Sequence, residues 1–133
     1  LVLATLHTPD AAQTIDRMMV TFGGGGTYNR IRVDTGGGLT NIYTTANTAS
    51  GADVNVTNTA IAASPVTPAN RPSMRVFIDS PSVQVPDTIV TGQGTTAVMD
   101  IRFQQAMPSG TQITVTINPS GPNPISVLYF TLP

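Results

Sequence analysis

The sequence predicts an all-β chain: one domain, an antiparallel β-sandwich of the immunoglobulin-like or jelly-roll kind. Three observations predict it. The 133 residues carry six basic and seven acidic side chains, and all of these are Arg or Asp. Glu and Lys, the residues that usually coat exposed helices, are absent. Apolar residues recur with period two in short runs, as they do on a strand with one buried face. Between the runs stand clusters of Gly, Pro, Asn and Ser, which punctuate sandwiches. Thr occurs 21 times, and its branched Cβ suits a pleated surface.

Leu1 to His7 reads as a first strand, closed by Thr8-Pro9-Asp10. Ile15 to Phe22 is a second, with Met18, Val20 and Phe22 on one face. The run Gly23 to Gly26 reads as a flexible hairpin tip. Tyr28 to Asp34 sets Ile31 and Val33 against Arg30, Arg32 and Asp34. After Gly36-Gly37-Gly38, Leu39 to Thr45 follows, with Leu39 or Ile42 inward. Val54 and Val56 mark a short strand that residues 60–63 could extend. Pro65, Pro68 and Pro72 then forbid a central strand and imply an extended connection.

Ser73 to Asp79 places Met74, Val76 and Ile78 on one face. Ser82 to Val85 and Thr88 to Val90 flank Pro86, so an edge or a bend falls there. Thr95 to Phe103 puts Ala97, Met99, Ile101 and Phe103 inward and Val98, Asp100 and Arg102 outward. Met107-Pro108-Ser109-Gly110 is a turn. Thr111 to Ile117 alternates Ile113, Val115 and Ile117 against Thr114 and Thr116. A Pro-rich loop over 118–124 leads to a last strand, Ile125 to Leu132. Eight to ten short strands result, with no internal repeat and no second domain.

Few chemistries fit these residues. There is no Cys, so neither a disulfide framework nor a thiolate metal site is available. A phosphate cradle at Gly23 to Gly26 would need a following helix and usually a Lys. His7 is the sole imidazole, and no Gly-x-Ser-x-Gly elbow accompanies it. The seven Asp residues stand singly, without a calcium-loop spacing. Arg30 and Arg32, with few aromatics and no Lys, do not make a nucleic-acid surface; a cross-strand pairing with Asp16 or Asp100 accounts for them. Asn55-Val56-Thr57 matches a glycosylation sequon. No catalytic residue, cofactor or metal site is expected, and the chain reads as a non-enzyme. No apolar run reaches the ~18–20 residues of a membrane span. No leader pattern opens the chain, so a secreted form would already have lost its signal before Leu1.

The string Phe103-Gln-Gln-Ala-Met-Pro-Ser-Gly-Thr-Gln-Ile-Thr-Val-Thr-Ile117, with Pro119, Asn123-Pro124 and Tyr129-Phe130, resembles the carboxy-terminal half of a secreted cyanobacterial domain family of unassigned function. Leu6-His-Thr-Pro-Asp-Ala11, Ile15, Met18, Val20 and Ile31-Arg32 extend the similarity, while residues 36–90 match poorly. The resemblance implies a secreted or cell-envelope location and brings no catalytic residues. Family members have more chain before the first strand and after the last.

Two expectations of function follow. The first is a structural subunit of an extracellular assembly, such as a filament, pilus-like fibre or surface layer, self-associating into a homopolymer by β-strand addition. Its donor candidates are Leu1, Val2, Leu3, Thr5 and Leu6, in a segment without full charge or Pro, where edge strands normally carry one or the other. The near-zero net charge, −1, permits association. The alternative is an adhesion module for glycans or a host surface, using loop residues Gly24, Gly25, Gly37 and Asn123. A viral capsid or decoration protein shares the composition.

Overall fold

The computed structural model describes residues 4–7, 13–35, 38–61, 73–79, 81, 95–119 and 126–132. Every regular element among them is a strand: β1 (Ala4–His7), β2 (Gln13–Phe22), β3 (Thr27–Asp34), β4 (Thr40–Ala49), β5 (Asp53–Ile61), β6 (Ser73–Asp79), β7 (Thr95–Phe103), β8 (Gln112–Ile117) and β9 (Ser126–Thr131). The expected strands at Ser82–Val85 and Thr88–Val90, the turn at Thr8–Asp10 and the connection through Pro65, Pro68 and Pro72 lie outside the described residues.

The strands form two sheets. One has five strands in the order β1-β6-β7-β3-β4; the other has four, β5-β2-β8-β9. Their inner faces meet in one core. Met18, Val20 and Phe22 of β2 and Ile113, Val115 and Ile117 of β8 come from the four-stranded sheet. Tyr28, Ile31 and Val33 of β3 and Met99, Ile101 and Phe103 of β7 come from the other. The period-two faces of these strands are therefore the ones the sequence predicts. Phe22 and Phe103 meet edge to face across the two sheets, with centroids 4.9 Å apart, a favoured aromatic geometry. Each such side chain stabilises the fold by roughly 1.5–3 kcal/mol through burial.

Three findings depart from expectation. First, β6 and β7 run parallel, whereas every other pair among the described strands is antiparallel. A parallel neighbour needs a crossover of a dozen or more residues, and the segment between Asp79 and Thr95 is long enough to supply it. Second, Gly23 to Gly26 is not a hairpin tip. β2 pairs with β5 and β8, while β3 pairs with β4 and β7, so this run carries the chain from one sheet to the other. Third, β4 continues to Ala49 and β5 to Ile61, filling the stretch where alternation is weakest.

β2 keeps both Ile15 and Met18 buried although they are three apart. A register shift between Ile15 and Arg17 restores the parity that strict alternation would break. Asn118 holds that irregularity. Its Oδ1 accepts the backbone amides of Asp16 and Arg17 at 3.1 and 3.2 Å, and its Nδ2 donates to the Thr14 carbonyl at 2.8 Å. Asn118 has φ of 51°, a left-handed conformation that Asn tolerates better than most residues.

Candidate functional site

An assembly protein built of strands would use sheet edges, so the edges are the first candidates. Each sheet has two. β1 and β4 bound the five-stranded sheet, and β5 and β9 bound the other. β4 lies beside β5 on one side of the sandwich, and β1 lies beside β9 on the opposite side. Of the donor candidates, Thr5 and Leu6 lie in β1, opposite Arg75 and Met74 of the same chain. Leu1, Val2 and Leu3 are outside the described residues.

The β4/β5 side is irregular. Tyr28 and Arg30 of β3 stand opposite Thr48 and Thr44 of β4, so β4 carries extra residues there. Tyr43 and Thr48 hydroxyls bond at 2.7 Å around that excursion. Likewise Ile15 and Arg17 of β2 face Thr59 and Asn55 of β5. Bulges of this kind twist an edge away from a flat partner. The β9 ladder is different: six consecutive pairs, from Gln112 with Thr131 to Ile117 with Ser126, run without a shift.

The loop candidates converge only in part. Gly24 lines a groove of about 650 Å³ with Thr21, Gly23, Ser109, Thr111 and Thr114. The groove forms because two chain reversals stand side by side. At one, Gly110 has φ of 80°; its amide donates to the Leu132 carbonyl, and the Leu132 amide donates to the Thr111 carbonyl, both at 2.9 Å. That is a bulge requiring glycine in the left-handed region. At the other, the inter-sheet crossover is pinned by two glutamines. Gln105 Oε1 accepts the Thr27 amide at 2.9 Å, and Gln105 Nε2 donates to the Gly25 carbonyl at 3.4 Å. Gln104 Nε2 donates to the Ala46 carbonyl at 2.6 Å, and Gln104 Oε1 accepts the Thr27 hydroxyl at 2.8 Å. Gly26, with φ of 90°, has no room for a Cβ against the Gln105 side chain. Gly37 and Asn123 lie outside the described residues. Gly25 is thus a fixed part of a crossover, and Phe22 and Gln112 join the Thr, Ser and Gly residues that line the groove.

One charged constellation stands on the outward register of the five-stranded sheet. Asp100 is opposite Arg32 in the β3–β7 ladder, the pairing that cross-strand reasoning anticipates. Its side chain is nonetheless fully buried. Arg32 Nε reaches Oδ1 at 2.7 Å and Arg32 Nη2 reaches Oδ2 at 2.9 Å, while Arg30 Nη2 reaches Oδ2 at 3.1 Å. Both carboxylate oxygens are occupied by guanidinium donors, the geometry of a structural clamp. On the other sheet Arg17 pairs with Asp53 at 2.9 Å and bonds Asn55 Oδ1 at 2.6 Å. That exposed pair contributes little, and it places the sequon's Asn55 in an exposed network on β5.

Asn118, Gln104 and Gln105 are the polar residues that sequence reasoning missed. A Gln-Gln pair directly after a strand and an Asn directly after another were the only signals. His7 ends β1 opposite Ser73. Among the described residues no three His, Cys, Asp or Glu side chains cluster as metal ligands would, and no helix is long and apolar enough to cross a membrane. No family model matches the chain, and neither does any curated protein or solved structure.

Proposed function

We propose that this chain is a structural subunit of an extracellular assembly, a filament or surface layer, whose copies join by β-strand addition. The observation that carries the reading is the place of β1. Among the described residues it is a four-residue edge strand, paired with β6 alone, in an uncharged stretch of sequence. A neighbour's β1 can occupy the same β6 edge with the same hydrogen bonds, so exchange between copies has little intrinsic cost. The low charge and the resemblance to a secreted family support an extracellular setting.

Deleting residues 1–8 tests the reading by sedimentation and negative-stain microscopy. The variant is expected to yield soluble monomers. A synthetic peptide of residues 1–8, added in trans, is expected to bind it, which separates loss of a donor from loss of folding. Polymers of wild-type length from the deletion variant would overturn the proposal.

A second reading is an adhesion module, favoured by the uncharged groove beside Gly24, where Thr and Ser stand with Gln112 and Phe22. It fits a neutral, polar ligand such as a glycan better than an anion or a lipid. Binding on a glycan array that is lost on Thr111→Val would favour it over the first.

A further inference from the structure

The four edges of this sandwich are not equivalent, and their differences single one out. An exposed edge is a template for another strand unless it is short, charged, interrupted by Pro, or bulged. β1 is four residues long. β4 and β5 are long but carry register shifts. Among the described residues β9 has none of these protections. Ser126–Thr131 reads Ser-Val-Leu-Tyr-Phe-Thr, without charge or proline, and its ladder to β8 is regular throughout. Among the described residues no strand pairs with its outer side.

The hydrogen bonds fix which amides face outward. Leu132 gives both its N–H and its C=O to the β8 side, through Thr111 and Gly110. Backbone groups alternate along a strand, so Phe130 and Leu128 also face β8. Val127, Tyr129 and Thr131 then direct their backbone groups away from β8, to the side where no described strand pairs.

We infer that the outer edge of β9 is a docking surface for β9 of a second copy of this chain, paired antiparallel about a two-fold axis. An isologous contact needs a surface complementary to itself. An uncharged, regular strand meets that requirement: antiparallel self-pairing brings no like charges together, and the net charge of −1 adds little repulsion at a distance. The joint makes one eight-stranded sheet from two four-stranded ones. Because β1 lies beside β9, the same contact brings the β1 edges of the two copies together, so both layers of the sandwich meet their counterparts. This surface extends the assembly reading and rests on it only for the premise that copies associate. A two-fold contact closes a dimer, and growth beyond a dimer requires the β1 exchange.

Sedimentation equilibrium of the full chain tests it, with two variants. Tyr129→Pro removes an outward amide and leaves the β8-facing amides in place, which an edge strand tolerates. It is expected to weaken dimerisation by at least about tenfold. Val127→Lys puts a charge on the edge without changing the backbone, and is expected to act in the same direction with the circular dichroism of a folded β protein. Wild-type-like dimers from Val127→Lys, or a wild-type chain that is monomeric at high micromolar concentration, would overturn the inference. Wild-type dimers that never grow larger would leave it standing and overturn the polymer reading. Polymers that survive both variants but are lost on deleting residues 1–8 would do the reverse.

Discussion

Asp100 is fully buried on the outward register of its sheet, and Arg32 holds both of its oxygens, at 2.7 and 2.9 Å. Arg30 adds a third contact at 3.1 Å. The side chains of Arg30 and Arg32 are only 14% and 16% exposed, so the triad is largely out of water. Attraction there repays desolvation only while every partner is present.

Removing the carboxylate is therefore expected to cost more than removing an exposed pair. Asp100→Ala should destabilise the fold by about 3–5 kcal/mol, measured by urea unfolding, because two guanidinium groups lose their common anion. Asp53→Ala, which breaks the exposed pair with Arg17, should cost under about 1 kcal/mol. Asp100→Leu combined with Arg32→Met should recover much of the loss, since an apolar replacement leaves one fewer buried cation.

Asn118 joins the end of β8 to the irregular part of β2 through three side-chain bonds. Asn118→Gly keeps access to the left-handed conformation but loses those bonds. Asn118→Ala loses both. The expected order of stability is Asn, then Gly, then Ala, with the first step about 1–3 kcal/mol and the second about 1 kcal/mol. Amide exchange at Asp16 and Arg17 should accelerate in both variants, while exchange in β3 changes little.

Tyr28 is fully buried, and its hydroxyl has no hydrogen-bond partner among the described residues. Burial is the main reason that its pKa is pushed above the ordinary 10.0. The unfolded chain loses this proton first, so stability is intact below pH 10 and falls as the pH rises beyond it. Tyr28→Phe should flatten that alkaline decline. At neutral pH it should leave stability unchanged or raise it by about 1 kcal/mol, since an unsatisfied buried hydroxyl is removed. A clear loss of stability at neutral pH would show that the hydroxyl has a partner.

Much of the fold was legible because its signals are local. Met18, Val20 and Phe22 alternate, as do Ile113, Val115 and Ile117, and each set is buried as a set. The exceptions mark places where a distant group decides. Ile15 joins the core only because a bulge, held by Asn118 from 102 residues away, resets the parity of β2. Gly23 to Gly26 looks like any hairpin tip until the partners of β2 and β3 are known. The candidate site was less legible than the fold. The sequence marks Thr5 and Leu6 as strand residues, and they lie in β1, but that β1 stands beside β9 depends on sheet order.

The sequence by itself determined, for the described residues, strand identity, inner and outer faces and the absence of helix. These follow from side-chain branching, period-two hydrophobicity and the missing Glu and Lys, all of which act over a few residues. The tertiary structure alone decided the parallel pairing of β6 with β7, the inter-sheet path at Gly23 to Gly26, and the contrast between bulged edges at β4 and β5 and the regular edge at β9. Strand order is set by which long-range pairings bury the most apolar surface together, and no local pattern encodes that sum.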